Sequence, residues 1–178
     1  MRFSILLFLM LQIVGIAARG ADDLVTTIKR NGEFTLFLRA VQTVGLTPTL
    51  DHGGSYTIFA PTDAAFAKVP PGIVEGLFKP ENKQKLTSIV EAHFLRGKLT
   101  SADIKTTAVI TYGKAPINTT HEGSEMTYGG AKIIKRDIIA SNGIIHSIDR
   151  IVLPSQEETA PPSPSPGSKK IRRTGKTA

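Results

Sequence analysis

Residues 142–154 read Asn-Gly-Ile-Ile-His-Ser-Ile-Asp-Arg-Ile-Val-Leu-Pro, and the prediction of the fold starts from this stretch. Asn-Gly is a turn dipeptide, because both residues tolerate positive φ. The β-branched run that follows predicts a strand, with His146 on one face and Ser147 on the other. The positions after Arg150 are apolar on both faces, as in a strand covered on both sides. Pro154 cannot donate to a sheet ladder, so we expect the strand to end there and to close the domain.

A second stretch, Tyr-Thr-Ile-Phe-Ala-Pro-Thr-Asp-Ala-Ala-Phe at residues 56–66, predicts a short apolar strand and then the start of a helix. Thr62 is a favourable N-cap, and Asp63 in the first turn suits the helix dipole. Together the two stretches resemble the paired signature segments of the fasciclin domain family. The second segment is residues 142–154, and the matching residues of the first are Thr57, Phe59, Ala60, Pro61, Thr62, Asp63, Ala65 and Phe66.

The resemblance covers residues 22–154 and implies an α+β domain, a wedge-shaped β-sandwich with several helices packed along it. The order of the patterns favours the same class, because helical patterns come first and strand patterns later. Helices are predicted over residues 22–32, 34–45 and 73–78, and from residue 80 along an apolar stripe that includes His93 and Phe94, with a loop over residues 47–55. Strands are predicted over residues 108–112, 116–120, 124–128 and 131–139, with a hairpin connection at residues 128–131.

The N-terminal residues 1–20 have the pattern of a secretory signal peptide, with Arg2 before an apolar core and small residues near its end. The apolar run is short for a bilayer core of about 30 Å, so we expect cleavage and no membrane anchor. No later segment is long and apolar enough to span a membrane. The mature protein is therefore expected to be secreted or extracellular, or periplasmic in a double-membrane bacterium.

The C-terminal residues 155–178 are rich in proline and serine and end in a basic cluster, which predicts a disordered tail. The whole chain carries 22 basic and 15 acidic side chains, a net charge of +7. Residues 21–154 hold 15 of the basic and 13 of the acidic ones, so the domain itself is close to neutral. We expect the basic tail to contact an anionic envelope polymer, and we expect no nucleic-acid partner.

The sequence offers little for catalysis, a metal or a cofactor. Its 178 residues include no cysteine, which excludes disulfides, a thiol nucleophile and thiolate metal sites. No nucleophile elbow, phosphate loop, dinucleotide fingerprint or metal-spaced histidine pair is present. His52 and His121 lie in glycine-flanked loops and are expected to be exposed. His93 and His146 lie at positions where the family carries histidine. They are either binding residues or neutral core imidazoles whose N–H donates to a backbone carbonyl.

A candidate binding segment precedes the closing strand. In matrix proteins of the fasciclin family the segment Asn-Lys-Asp-Ile-Leu is implicated in integrin recognition, and the resemblance places Asp137 and Ile138 in its Asp-Ile positions. An exposed Asp137 carboxylate is able to coordinate a receptor-held divalent cation. The alternative is that these two residues point outward and inward from an ordinary strand. Asn118 begins an Asn-Thr-Thr glycosylation sequon, which is relevant in a eukaryotic secretory pathway.

Two functions from different classes remain. The first is non-catalytic adhesion, in which the chain binds a protein or polysaccharide at the cell surface or in the matrix. The second is binding of a small ligand in an apolar cleft between the helices and the sheet. A cavity of a few hundred Å³ lined by Phe and Ile would favour the second function, and a closed core would favour the first.

Overall fold

A computed structural model describes residues 22–52, 54–70 and 72–154, with only the backbone of His52. The predicted signal peptide at residues 1–20 and the predicted tail at residues 155–178 lie outside the described residues. The α+β fold class is confirmed. Six α-helices surround a seven-stranded mixed sheet in the described part of the chain.

The helices begin and end largely where local signals place them. α1 begins after Asp23, whose carboxylate accepts from the N–H of Thr26 at 2.6 Å, and it ends at Gly32 with a φ of 70°. Thr62 caps α4 as predicted, accepting from the N–H of Ala65 at 3.2 Å. The helices are α1 (Leu24–Asn31), α2 (Thr35–Val44), α3 (Thr47–His52), α4 (Asp63–Ala67), α5 (Ile73–Leu77) and α6 (Lys83–Ala92), with a 3₁₀ turn at Pro80–Asn82 before α6.

Two helical predictions were wrong. Residues 47–52 form helix α3 instead of a loop, because Pro48 is tolerated in a first helical turn and Leu50 is buried in the helical core. The last long helix ends at Ala92, so the predicted stripe does not continue through Phe94 as helix. His93 occupies the C-cap position, and Phe94 begins a strand.

The strands are β1 (Tyr56–Pro61), β2 (Phe94–Arg96), β3 (Thr107–Ile110), β4 (Pro116–Glu122), β5 (Glu125–Tyr128), β6 (Ala131–Ala140) and β7 (Gly143–Ile148). Their order across the sheet is β2-β1-β7-β6-β5-β4-β3, with β1 and β7 parallel and the other pairs antiparallel. The predicted hairpin is present, since Tyr128 pairs with Ala131. All six residues of β7 are buried. The prediction that this strand extends to Pro154 was wrong, because β7 ends at Ile148.

The sheet curls until its two halves face each other. Phe59 in β1 stacks on Tyr128 in β5, with ring centroids 3.8 Å apart and planes 3° from parallel. β1 and β5 are three positions apart in the sheet, about 14 Å in a flat sheet with roughly 4.8 Å between strands. The stack therefore requires strong curvature. One apolar cluster lies between the sheet halves around Phe59, and another lies between β1, β7 and the helices.

The predicted turn is present, since residues 141–142 connect β6 to β7, but the Asn-Gly pair does not adopt the predicted conformation. Neither Asn142 nor Gly143 has a positive φ. Instead the side chain of Asn142 joins three segments: its Oδ1 accepts from the N–H of Leu24 at 2.8 Å, and its Nδ2 donates to the carbonyl of Leu50. A Cβ on Gly143 would lie 2.1 Å from the carbonyl oxygen of Tyr56. Glycine is therefore required by the close approach of β1 to β7, and not by turn geometry.

Candidate functional site

His93 is a buried structural histidine. Its ring is 1% exposed and lies 5.8 Å from the ring of Phe37. Nδ1 donates to the carbonyl of Ile89 at 2.7 Å, since a carbonyl oxygen only accepts, and Nε2 accepts from the N–H of Val152 at 3.2 Å. Burial lowers the pKa of His93 from 6.5 to about 4, against the raising effect of the Ile89 hydrogen bond. The neutral imidazole thus joins the end of α6 to the segment that follows β7.

His146, which lies on β7, has a similar arrangement. Its ring is fully buried and stacks on Phe59 with centroids 5.2 Å apart. Nε2 donates to the carbonyl of Leu99 at 2.9 Å, and Nδ1 accepts a long bond of 3.4 Å from the N–H of Asp137. Burial lowers the pKa of His146, while the hydrogen bond to Leu99 and the Asp137 carboxylate oppose that shift. Both histidines therefore have the arrangement of the core-imidazole alternative, and their use in binding stays a prediction.

Asp137 lies at an irregularity in β6 where the register with β7 shifts. Its φ is 53°, a left-handed conformation that is uncommon outside glycine but tolerated by Asp. The carboxylate accepts from the N–H of Ser101 at 2.8 Å and also from the Ser101 hydroxyl. Partial burial raises the pKa of the Asp137 carboxyl. The hydrogen bonds from Ser101 lower it, and the net pKa lies below the usual 3.8. Both oxygens are thus occupied within the domain.

The structure brings three of the four candidate residues together and separates the fourth. Asp137, Ile138 and His146 lie where β6 meets β7. His93 lies instead at the C-terminus of α6. Ser101 was not singled out as a partner of this group. Its contact with Asp137 spans 36 residues of sequence, which local patterns do not reveal.

The exposed feature of this region is Ile139. Its side chain is 72% exposed, whereas Ile138 packs partly against the helical core. Ile139 lines an open depression of about 370 Å³ together with residues of α1 and the residue Asp22 before it. Arg30 forms an ion pair with Asp22 at this depression. Ile139 is the only apolar residue among the five described residues that line this depression.

The apolar crevices between helices and sheet are nearly closed. One is lined by residues of α2, α5 and α6 with His93, another lies beside Tyr56 and Tyr112, and each holds about 10 Å³. That is about the volume of one water probe. A larger open groove of about 860 Å³ lies along the polar face of α6, next to the turn between β3 and β4. Across residues 22–52, 54–70 and 72–154, no three His, Asp or Glu side chains are grouped so that they could hold a metal ion.

Two further side chains lie on the surface. Asn118 is exposed on β4, so the sequon is accessible, and its modification stays a prediction. His121 is exposed as predicted, although its Nδ1 lies 3.0 Å from the carbonyl of Ile104. The side chain of His52 is outside the described part of the chain.

Comparison with known proteins agrees with this geometry. The family model described as Fasciclin domain matches residues 25–154. The chain belongs to the fasciclin domain family. Protein sll1483 of Synechocystis sp. is 36% identical over 138 residues, covering 78% of this chain and 77% of that protein. Human periostin is 31% identical over 129 residues, covering 71% of this chain but 15% of periostin.

A solved structure supports the fold. The fasciclin domain pair from the insect cell adhesion molecule Fasciclin I superimposes with a TM-score of 0.66 at 18% identity. The match covers 75% of this chain and 51% of that one.

The two signature segments of this fasciclin domain are β1 and β7, which pair in parallel over six residues from Tyr56 with Gly143 to Pro61 with Ile148. Within the described ranges, no helix combines the length and the hydropathy needed to cross a bilayer.

Proposed function

We propose that this protein is an exported, non-catalytic fasciclin domain that acts by adhesion, binding a protein or polysaccharide at the cell surface or in the matrix. The observation that carries the proposal is the internal use of its reactive side chains. His93, His146 and Asp137 each spend their polar atoms on hydrogen bonds within the domain. The two imidazoles are buried with both ring nitrogens bonded to backbone groups, so neither ring is open to a substrate proton or to a metal ion.

The nearly closed core supports surface binding over small-ligand binding. A ligand pocket usually has a volume of about 300–1,000 Å³ and an apolar lining. The crevices between the helices and the sheet hold about 10 Å³ each. We therefore do not favour the apolar-cleft function, because the two apolar crevices have no room for a ligand and the open groove of about 860 Å³ is lined in large part by polar residues of α6.

For the contact surface we propose the depression around Ile139. A few side chains that become fully buried in the middle of an interface, inside a polar rim, often contribute most of the binding energy. In this proposal Asp137, Ile138 and His146 take part by positioning and not by touching the partner. Asp137 and His146 hold the irregularity of β6 that presents Ile139, and Ile138 anchors it to the core. His93 lies apart from this group, at the end of α6, and has no role in presenting Ile139.

The test is a binding isotherm of the labelled full chain on cells of the encoding organism. Ile139→Asp places a charge at the centre of the depression, and we expect at least a tenfold loss of affinity, about 1.4 kcal/mol. Ile73→Asp is the matched control, because Ile73 is 54% exposed on α5. Equal affinities for the two variants would reject the Ile139 surface. Absence of saturable binding by the native chain would reject the adhesive function itself.

We further propose that the predicted basic tail retains the protein on an anionic envelope polymer or lipid. Its five basic residues are Lys169, Lys170, Arg172, Arg173 and Lys176. At about 1 kcal/mol for each basic residue near an anionic membrane, retention is worth at most roughly 5 kcal/mol and is sensitive to salt. A chain truncated after Pro154 should lose the salt-sensitive part of the sedimentation that the full chain shows with cell envelopes. Equal sedimentation of the two chains at low salt would exclude this role.

A further inference from the structure

The strand β3 forms an open edge of the sheet. It is the last strand in the order and pairs only with β4 among the described strands. Hydrogen-bonded and non-hydrogen-bonded pairs alternate along an antiparallel ladder. Since the N–H of Thr111 donates to the carbonyl of Ala115, the odd-numbered residues of β3 share hydrogen bonds with β4. The backbone groups of Ala108 and Ile110 therefore point away from β4, and no other described segment pairs with them.

This edge lacks the usual protection against pairing. Residues 106–112 read Thr-Thr-Ala-Val-Ile-Thr-Tyr and contain no charge and no proline. Natural edge strands are commonly blocked by lysine, proline or a bulge. Only the end of this edge is closed to pairing, because the N–H of Tyr112 already donates to the carbonyl of Phe94 at 2.7 Å. The open part is thus limited to Ala108 and Ile110.

Exposed apolar surface lies beside the open part. Ile110 is 61% exposed. Its cross-strand neighbour on β4 is Pro116, which lines a crevice together with Leu153, itself 63% exposed. A strand added at this edge would therefore gain apolar contact as well as backbone hydrogen bonds.

We propose that this edge pairs with β3 of a second copy of the chain, antiparallel and centred on Val109. In this register Ala108 of each copy lies opposite Ile110 of the other. Each of the two Ala108–Ile110 pairs exchanges two backbone hydrogen bonds, four in all. These bonds satisfy the outward-pointing N–H and C=O groups of Ala108 and Ile110 in both copies. A register shifted toward the C-terminus would need the N–H of Tyr112, which already donates to Phe94.

Self-complementarity of this register favours a second copy as the occupant, and charge does not oppose it. In the proposed register Lys105 lies opposite Gly113 of the other copy, and Lys114 lies opposite Ile104, so no lysine faces a lysine along the pair. Two paired strands of four residues bury far less than the about 1,200 Å² of a stable complex, so the dimer is weak in solution. On a surface that concentrates the protein, weak pairing adds up through multivalency. The pairing goes beyond the proposed adhesion and does not depend on its partner.

The register is tested by disulfide cross-linking. Because the chain has no native cysteine, only the introduced thiols form disulfides. Opposed residues of a hydrogen-bonded pair have Cα atoms about 5.5 Å apart, within the range that a disulfide spans. An equimolar mixture of the full-length variants Ala108→Cys and Ile110→Cys should form the mixed dimer at least about fivefold faster than either variant forms its own dimer. Faster dimerisation of one variant alone would reject this register.

Association itself is tested by sedimentation velocity of the full chain, from about 10 µM to about 1 mM. Ile110→Lys should raise the dissociation constant at least about tenfold, because it removes apolar contact and brings two like charges close across the pair. Ile134→Lys is the matched control, since Ile134 is 53% exposed on β6, an interior strand of the sheet, and it should leave the constant unchanged. A chain that stays monomeric throughout, equal weakening by both variants, or an edge that accepts only a strand from another protein would overturn the proposal.

Discussion

Acidification should destabilise the domain through His93. The pKa of His93 is 6.5 in an unfolded chain and about 4 in the folded domain, because burial disfavours the imidazolium. As the pH falls below 6.5, the unfolded chain takes up the proton first. The stability that the neutral ring contributes is therefore complete above that value and is lost as the pH falls towards 4. Linkage gives a loss of about 2 kcal/mol between pH 7 and pH 5 from this residue.

The assay is urea denaturation of the full chain at both pH values, compared with His93→Gln. Glutamine keeps a donor and an acceptor but does not titrate. The variant should be less stable at pH 7 and should lose about 2 kcal/mol less than the native chain on acidification. A contribution in the same direction from His146, whose pKa is also lowered by burial, remains in both proteins. His121→Gln removes an exposed imidazole as a control. The same pH dependence of stability in the native chain and in His93→Gln would show that His93 is not its source.

Two further predictions concern glycines. Gly143→Ala should lower the free energy of unfolding, measured in urea, by about 3 kcal/mol or more, because its Cβ would lie 2.1 Å from a carbonyl oxygen of β1. Gly76→Ala, in open space on α5, is the control and should be neutral or stabilising. Equal stability of the two variants would contradict the close approach of β1 to β7. Gly129→Ala should lower the midpoint of thermal denaturation more than Gly130→Ala. Both glycines have positive φ, but only a Cβ at Gly129 would contact Val152, at 2.4 Å. A reversed order would show that backbone strain, and not packing against Val152, determines the loss of stability.

The parts of the fold that the sequence predicted are those set by neighbouring residues. α1 was predicted within residues 22–32, and the residues that bound it, the cap Asp23 and Gly32, act within one turn of the helix. The hairpin at Tyr128 and Ala131 was predicted from two adjacent glycines. The location of β1 and β7 followed from β-branched runs bounded by turn and proline signals. Local chemistry of this kind is readable without knowledge of the tertiary structure.

The parts that escaped prediction depend on distant residues. α2 is capped from another helix, because the carboxylate of Asp63 accepts from the N–H groups of Thr35 and Leu36 at 3.2 and 2.9 Å. The sequence placed Asp63 only in its own first helical turn. The positive φ of Asp137 and its link to Ser101 likewise arise where β6 meets a loop 36 residues away. The candidate site lies in this non-local region, so its residues were named but their contacts were not foreseen.

We propose that this fasciclin domain holds surfaces together by contact. The most direct measurement is the retention under flow of beads that carry the full chain on a layer of cells from the encoding organism. Beads with the native chain should be retained, Ile139→Asp should release them, and Ile73→Asp should not. Native-chain beads that wash off as readily as uncoated beads would contradict this proposal.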